Sequence, residues 1–132
     1  MASGRRDYSF GFVNEAGNAG RFVNRWGKIM NKSVEGKATD ELYSYTMPAG
    51  YRRGIILMHI HGGTAGGNSL QVRVAGSYVY YMPFDRECIV QLSNENIIYY
   101  TEGQELEVKV YNADTVAAYF VGYMLGITET LT

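Results

Sequence analysis

A chain of 132 residues, 46% apolar and 19% charged, has enough hydrophobic side chains for one folded domain with a small appendage and too many for a disordered segment. Sixteen glycines against two prolines favour tight turns over rigid linkers, and the single Cys88 excludes an intramolecular disulfide. The net charge of −1 is unevenly spread: residues 1–37 hold seven basic and three acidic side chains (+4), the remainder five and ten (−5), which suits pairing between copies or with an acidic partner.

Residues 1–41 read as a basic, glycine- and asparagine-rich arm without sustained periodicity. Apolar pieces at 8–13 and 22–30 alternate with polar, glycine-containing stretches. Phe22, Trp26, Ile29 and Met30 share one face of a short helix capped near Asn18, although Gly20 and Gly27 oppose it. An extended arm that anchors Phe10, Phe12, Phe22 and Trp26 in a neighbour's grooves fits the same residues, as does an N-terminal hairpin over the domain's own core. Seven cations without a run are a weak footprint for nucleic acid, so none is expected as a partner.

From residue 42 the pattern becomes strand, turn, strand. Strands are expected at 42–47 and 54–61, around Leu70, Val72 and Val74, then at 78–82, 88–92 and 96–100, around Leu106, Val108 and Val110, and at 116–127. Gln71 and Arg73 should face out, as should Glu105, Glu107 and Lys109. Eight strands without intervening helices imply antiparallel pairing in two packed sheets or a closed barrel, and the sandwich is favoured because one sheet leaves an apolar face wet. Residues 55–60 and 116–125 are apolar at consecutive positions, which implies burial on both faces and hence a sister subunit, in a homotrimer around the last strand. Twelve tyrosines point either to surfaces that meet other surfaces or to the ordinary preference of Tyr for strands. The apolar run 116–127 is too short to span a bilayer and is broken by Gly122 and Gly126; with no secretory signal seen, a soluble protein made in the cytoplasm, without a membrane partner, is expected.

Catalytic chemistry finds little support. His59 and His61 lie on one side of a strand at a spacing that can chelate a metal, but no glutamate follows within reach and there is no third histidine. The loop 62–67 lacks the Lys-Ser/Thr of a phosphate cradle. Cys88 falls in a strand beside Val90 and Leu92 without a basic neighbour, and the pairs Glu105–Glu107 and Asp85–Glu87 read as solvated. The expectation is a non-enzyme with no catalytic residue, no metal and no cofactor.

The turn Met47-Pro48-Ala49-Gly50-Tyr51, the strand ending in Gly62-Gly63, the strand opening Glu102-Gly103-Gln104-Glu105-Leu106 and the closing Phe120-Val121-Gly122-Tyr123-Met124-Leu125 together resemble the jelly-roll modules of trimeric heads: complement-type globular heads, tumour-necrosis-factor-like trimers and bacteriophage surface proteins. Size, the missing signal and the arm look most like a phage capsid decoration (cement) protein. The resemblance covers residues 42–127 and implies an antiparallel jelly-roll β-sandwich of about eight strands over 42–132, with 1–41 as the arm. It implies a homotrimer on a capsid lattice in the virion, its arms touching the major capsid protein. Arg5, Arg6, Arg21, Arg25 and Trp26 are the expected shell contacts, and Tyr119, Phe120 and Tyr123 the expected subunit interface. The rival reading is a receptor- or carbohydrate-binding module whose platform is Tyr78, Tyr80 and Tyr81.

Overall fold

The computed structural model describes residues 23–93 and 95–131. Among them the regular elements are nine antiparallel strands: β1 (Val23–Val34), β2 (Ala38–Thr46), β3 (Tyr51–Gly62), β4 (Asn68–Val74), β5 (Ser77–Phe84), β6 (Glu87–Gln91), β7 (Ile98–Thr101), β8 (Glu105–Asn112) and β9 (Ala118–Thr130). One sheet runs β1-β9-β3-β6, with β7 on the same edge of β3 further along, and the other runs β2-β8-β4-β5. The hairpin-like pairs β1·β9, β2·β8, β3·β6/β7 and β4·β5 nest one inside the next, as when one long antiparallel ribbon is rolled up. That is the strand order of an eight-stranded jelly roll, with β6 and β7 sharing the sixth position.

Alternation builds the core. Leu70, Val72 and Val74 on β4 and Leu106, Val108 and Val110 on β8 turn inward against Ile55, Met58 and Ile60 on β3 and Phe120 and Met124 on β9. Phe84 closes one end edge-on to Phe120, with ring centroids 6.3 Å apart. Burial of this apolar surface, worth about 25 cal/mol per Å², is what drives the two sheets together.

The arm is shorter than the sequence indicates. β1 pairs with β9 along its whole length, so residues 23–41 belong to the sandwich and neither the boundary at 41/42 nor the helix holds. Trp26, Met30 and Val34 face the core four residues apart, a spacing that mimics a helical face. The intervening inward positions are Lys28 and Lys32, whose long side chains reach past the sheet edge to the Tyr43 ring and to Asp40. Period-2 alternation is therefore present but disguised by lysines at an edge. Trp26 packs over the buried Arg53 guanidinium at 4.2 Å, and Arg53 donates to Thr128 Oγ1 (2.9 Å) and to the Tyr100 hydroxyl (3.0 Å). Burial pushes the Tyr100 phenol up to about 12, against the opposing pull of Arg53.

Two fully buried amides tie the loops at one end. Asn68 donates to the carbonyls of Ala65 and Asp85 and accepts from Ala113 N–H. Asn112 donates to the carbonyls of Val34 and Val116 and accepts from Asp114 N–H. At the other end the β4–β5 hairpin turns through Ala75 and Gly76, both at positive φ (53° and 84°). Glycine is at ease there, whereas an alanine Cβ crowds the carbonyl. Ala75→Asn, which creates the favoured Asn-Gly turn, should raise stability by about 0.5–1 kcal/mol in urea titration.

Candidate interaction surface

The two outer faces of the sandwich differ in chemistry. Cross-strand register places Ile29, Tyr123, His59 and Ile89 in one lateral row across β1, β9, β3 and β6. The adjoining row is Gly27, Leu125, Leu57 and Gln91, and the row beyond is Asn31, Val121, His61 and Glu87. Ile29 is 80% exposed, Tyr119 68% and Ile89 54%, with Tyr123 and Leu125 also open. Scattered single exposures of this kind are ordinary, but a row crossing β1, β9, β3 and β6 is a surface that invites protein.

On the opposite sheet the corresponding rows are Glu41–Lys109–Gln71–Tyr81 and Ser44–Glu107–Arg73–Tyr78. That face is wet and charged. Arg73 lies 3.6 Å from Glu107, and its guanidinium sits over the Tyr78 ring. Burial, then the hydrogen bond and like charge of Glu107, push the Glu41 carboxyl above its ordinary value.

At the centre of the apolar row His59 Nε2 meets Glu87 Oε2 at 2.7 Å, and the imidazole stands edge-on to Tyr123 with centroids 5.5 Å apart. The His61 ring is 5.9 Å away. Among the described residues no group of three or more His, Cys, Asp and Glu is placed to hold a metal ion. Cys88 is in the core, where burial pushes its thiol up to about 11 and leaves it protonated at neutral pH.

The residues singled out from the sequence distribute unevenly over this geometry. Arg5, Arg6 and Arg21 lie outside the described residues. Arg25 is exposed on β1, and Trp26 is half-buried, packed against Arg53 and Tyr43 of its own sandwich. Tyr119 and Tyr123 do face out, whereas Phe120 is fully buried between the sheets and cannot line a subunit interface. Neighbouring positions on a strand point to opposite faces, so Tyr119 and Phe120 are never on one surface. Tyr80 likewise turns inward while Tyr78 and Tyr81 face out, so the three make no common platform. Ile29, Leu57, Ile89 and Leu125 were not among the candidates. For Ile89 the signal was available: with Cys88 and Val90 inward, the residue between them must face out.

The fold and this surface define a jelly-roll sandwich with one charged and one apolar outer face. No family model matches the sequence, and no curated protein matches it. Among solved structures the chain is similar to a virus-like particle of the extra small virus of the giant freshwater prawn Macrobrachium rosenbergii, at 9% identity and TM-score 0.34, over 96% of this chain and 92% of that one. It is also similar to infectious bursal disease virus VP2 in a subviral particle, at 10% identity and TM-score 0.35, over 87% of this chain and 38% of that one. A structure of the Gx strain of that virus matches at 11% identity and TM-score 0.40, over 98% of this chain and 41% of that one. The chain thus spans about two fifths of the length of the bursal virus proteins. The topology assigned above rests on strand order and register, not on these likenesses.

Proposed function

We propose that this chain is a non-enzymatic structural protein of a virus particle, a decoration or cement protein on a bacteriophage shell that works as an oligomer. The observation that supports it is the contrast between the outer faces: Ile29, Tyr123 and Leu125 on one side of the His59–Glu87 pair and Ile89 on the other offer apolar contact on one sheet, and the other face is charged. In this reading sister copies, arranged as a homotrimer around β9, meet through Tyr119 and Tyr123, and the basic segment with Arg5, Arg6, Arg21 and Arg25 reaches the major capsid protein. The protein then sits on the capsid surface of the virion after synthesis in the host cytoplasm.

Because β1 belongs to the fold, the arm must be cut before Val23. A chain lacking residues 2–20 should still self-associate in sedimentation and should no longer co-sediment with particles of its parent virus. Retained attachment removes the arm from the reading. A truncated chain that stays monomeric at high concentration, or one whose association survives Tyr123→Ser with Leu125→Ser, removes the apolar face from it.

A second reading, a receptor- or carbohydrate-binding module, draws on the exposed Tyr78 and Tyr81 of edge strand β5. Glycan-array binding that is lost in Tyr78→Ala with Tyr81→Ala, without particle binding, would favour it.

A further inference from the structure

The corner of the sandwich where β1 begins and β2 ends is not closed. Register puts Asn24, Thr128, Arg53 and Tyr100 in one row across β1, β9, β3 and β7, on the side that faces the opposite sheet. From that sheet Tyr43 and Tyr45, paired with the core residues Val108 and Leu106, face back toward it. Alternation assigns Asn24, Lys28 and Tyr45 to the interior, yet all three are exposed, Tyr45 by 40%. A cleft therefore enters between the edge strands β1 and β2, and at its floor is Arg53, only 9% exposed.

Charge in this cleft is out of balance. Arg53 donates to two hydroxyls, those of Thr128 and Tyr100, and its guanidinium lies 4.2 Å from the Trp26 ring centroid and 5.3 Å from that of Tyr45. At the rim Lys28 Nζ stands 5.7 Å from the Tyr43 ring. Among the described residues neither cation has a carboxylate partner: Asp40 goes to Lys32 and Glu129 to Arg52. Ring faces and hydroxyls attract a guanidinium without neutralising it, and a buried charge is rare unless an anion completes it.

We propose that this cleft binds a carboxylate carried on an extended segment of a partner protein, with Arg53 as its counter-ion and Lys28 drawing it in. The walls set the class of ligand. Trp26 meets Tyr43 at 6.0 Å and Tyr43 stacks on Tyr45 at 6.3 Å, so flat apolar surface lines the way in for a carrier chain. The guanidinium fork fits a planar carboxylate, whereas a dianionic phosphate loses more hydration than one deep cation returns. This site lies between the sheets, apart from the outer row of Ile29, Tyr123 and Ile89, so it stands whether or not copies associate through that row.

Trp26 is the only tryptophan of the chain, so its fluorescence reports on the cleft directly. The intact chain should give a saturable change with a capped phenylalanyl-aspartyl-phenylalanine tripeptide and bind the asparaginyl counterpart at least about tenfold more weakly. Equal affinity for the two peptides overturns the proposal. Hydrocinnamate and inorganic phosphate, titrated alongside, should each bind more weakly than the aspartyl peptide. Tighter hydrocinnamate would make the ligand a small organic acid and tighter phosphate a phosphoryl group, and either result overturns the assignment to a protein carboxylate. Arg53→Met removes the charge at similar reach and should abolish the preference for the aspartyl peptide while circular dichroism stays that of the unsubstituted chain. Lys28→Glu, at an exposed position, keeps the test open if that variant does not fold: it should weaken the aspartyl peptide at least about threefold and leave the asparaginyl peptide unchanged. Unchanged aspartyl binding in Lys28→Glu overturns the proposal, as does a folded Arg53→Met chain that still prefers aspartate.

Discussion

Gly122→Ala should leave little folded protein, although it adds one methyl group. β9 is central in its sheet, and Gly122 lies in the inward row Met30–Gly122–Ile60–Cys88. A Cβ there would come within 2.8 Å of the Ile60 Cα and closer still to the carbonyl oxygen of His59. Backbone of the neighbouring central strand cannot swing aside as a side chain can, so β3 and β9 must part along the pairing that joins the two central strands of the sheet. Overfilling a packed interior costs about 1–3 kcal/mol when side chains yield, and displaced backbone carries the cost above that range, toward ~4 kcal/mol. Domains of this size have only about 5–15 kcal/mol in total. Gly27→Ala on β1 provides the contrast, since its Cβ would meet the flexible end of Leu125 at 3.1 Å. Urea melts should separate the two, with a large loss of midpoint at 122 and a change under about 1 kcal/mol at 27. Comparable losses would mean that β3 and β9 are not held at this separation.

The same strand shows what the sequence discloses and what it hides. On β4 and β8 the inward valines and leucines alternate with Gln71, Arg73, Glu105, Glu107 and Lys109, and polarity alone assigns the faces correctly. β9 and β3 are apolar on both faces, so composition leaves their parity undetermined. Only the register decides that Phe120 enters the core while Tyr119 stays out. In β3 a bulge at Ile56 shifts that parity midway, so Ile55 and Met58 face in and Leu57 faces out. Continuous hydrophobicity thus signalled correctly that the outer face is apolar, without naming the residues on it. β1 was lost for the opposite reason: its inward positions include two lysines that extend past an edge. The candidate surface draws one column from each of these strands, so it could be read only once pairing was known.

Asn112→Ala is expected to cost about 3 kcal/mol or more, the largest effect of any single polar truncation at the loop end of the sandwich. The amide is fully buried and every strong hydrogen-bonding capacity it uses goes to backbone: Val34 and Val116 carbonyls at 3.0 Å each and the Asp114 N–H at 3.0 Å. Truncation leaves three main-chain groups from two separate segments without that partner, each worth about 1–3 kcal/mol if water does not replace it. Asp114 in turn accepts from Thr115 N–H and the Thr64 hydroxyl, and its carbonyl from Lys37 N–H, so slackening spreads to three loops. Asn112→Asp sharpens the test. It keeps the shape but replaces both donors with a carboxylate facing two carbonyl oxygens, so at neutral pH it should be at least as damaging as alanine. Burial against two carbonyl oxygens raises this carboxyl above its ordinary range in the folded chain, so on acidification protonation restores one donor and removes the charge, and the deficit relative to the unsubstituted chain should shrink as pH falls toward 4. Melting both variants at pH 7 and pH 4 gives the readout: a deficit that does not depend on pH for the aspartate would show that this amide is not the clamp joining β1 to the β8–β9 loop.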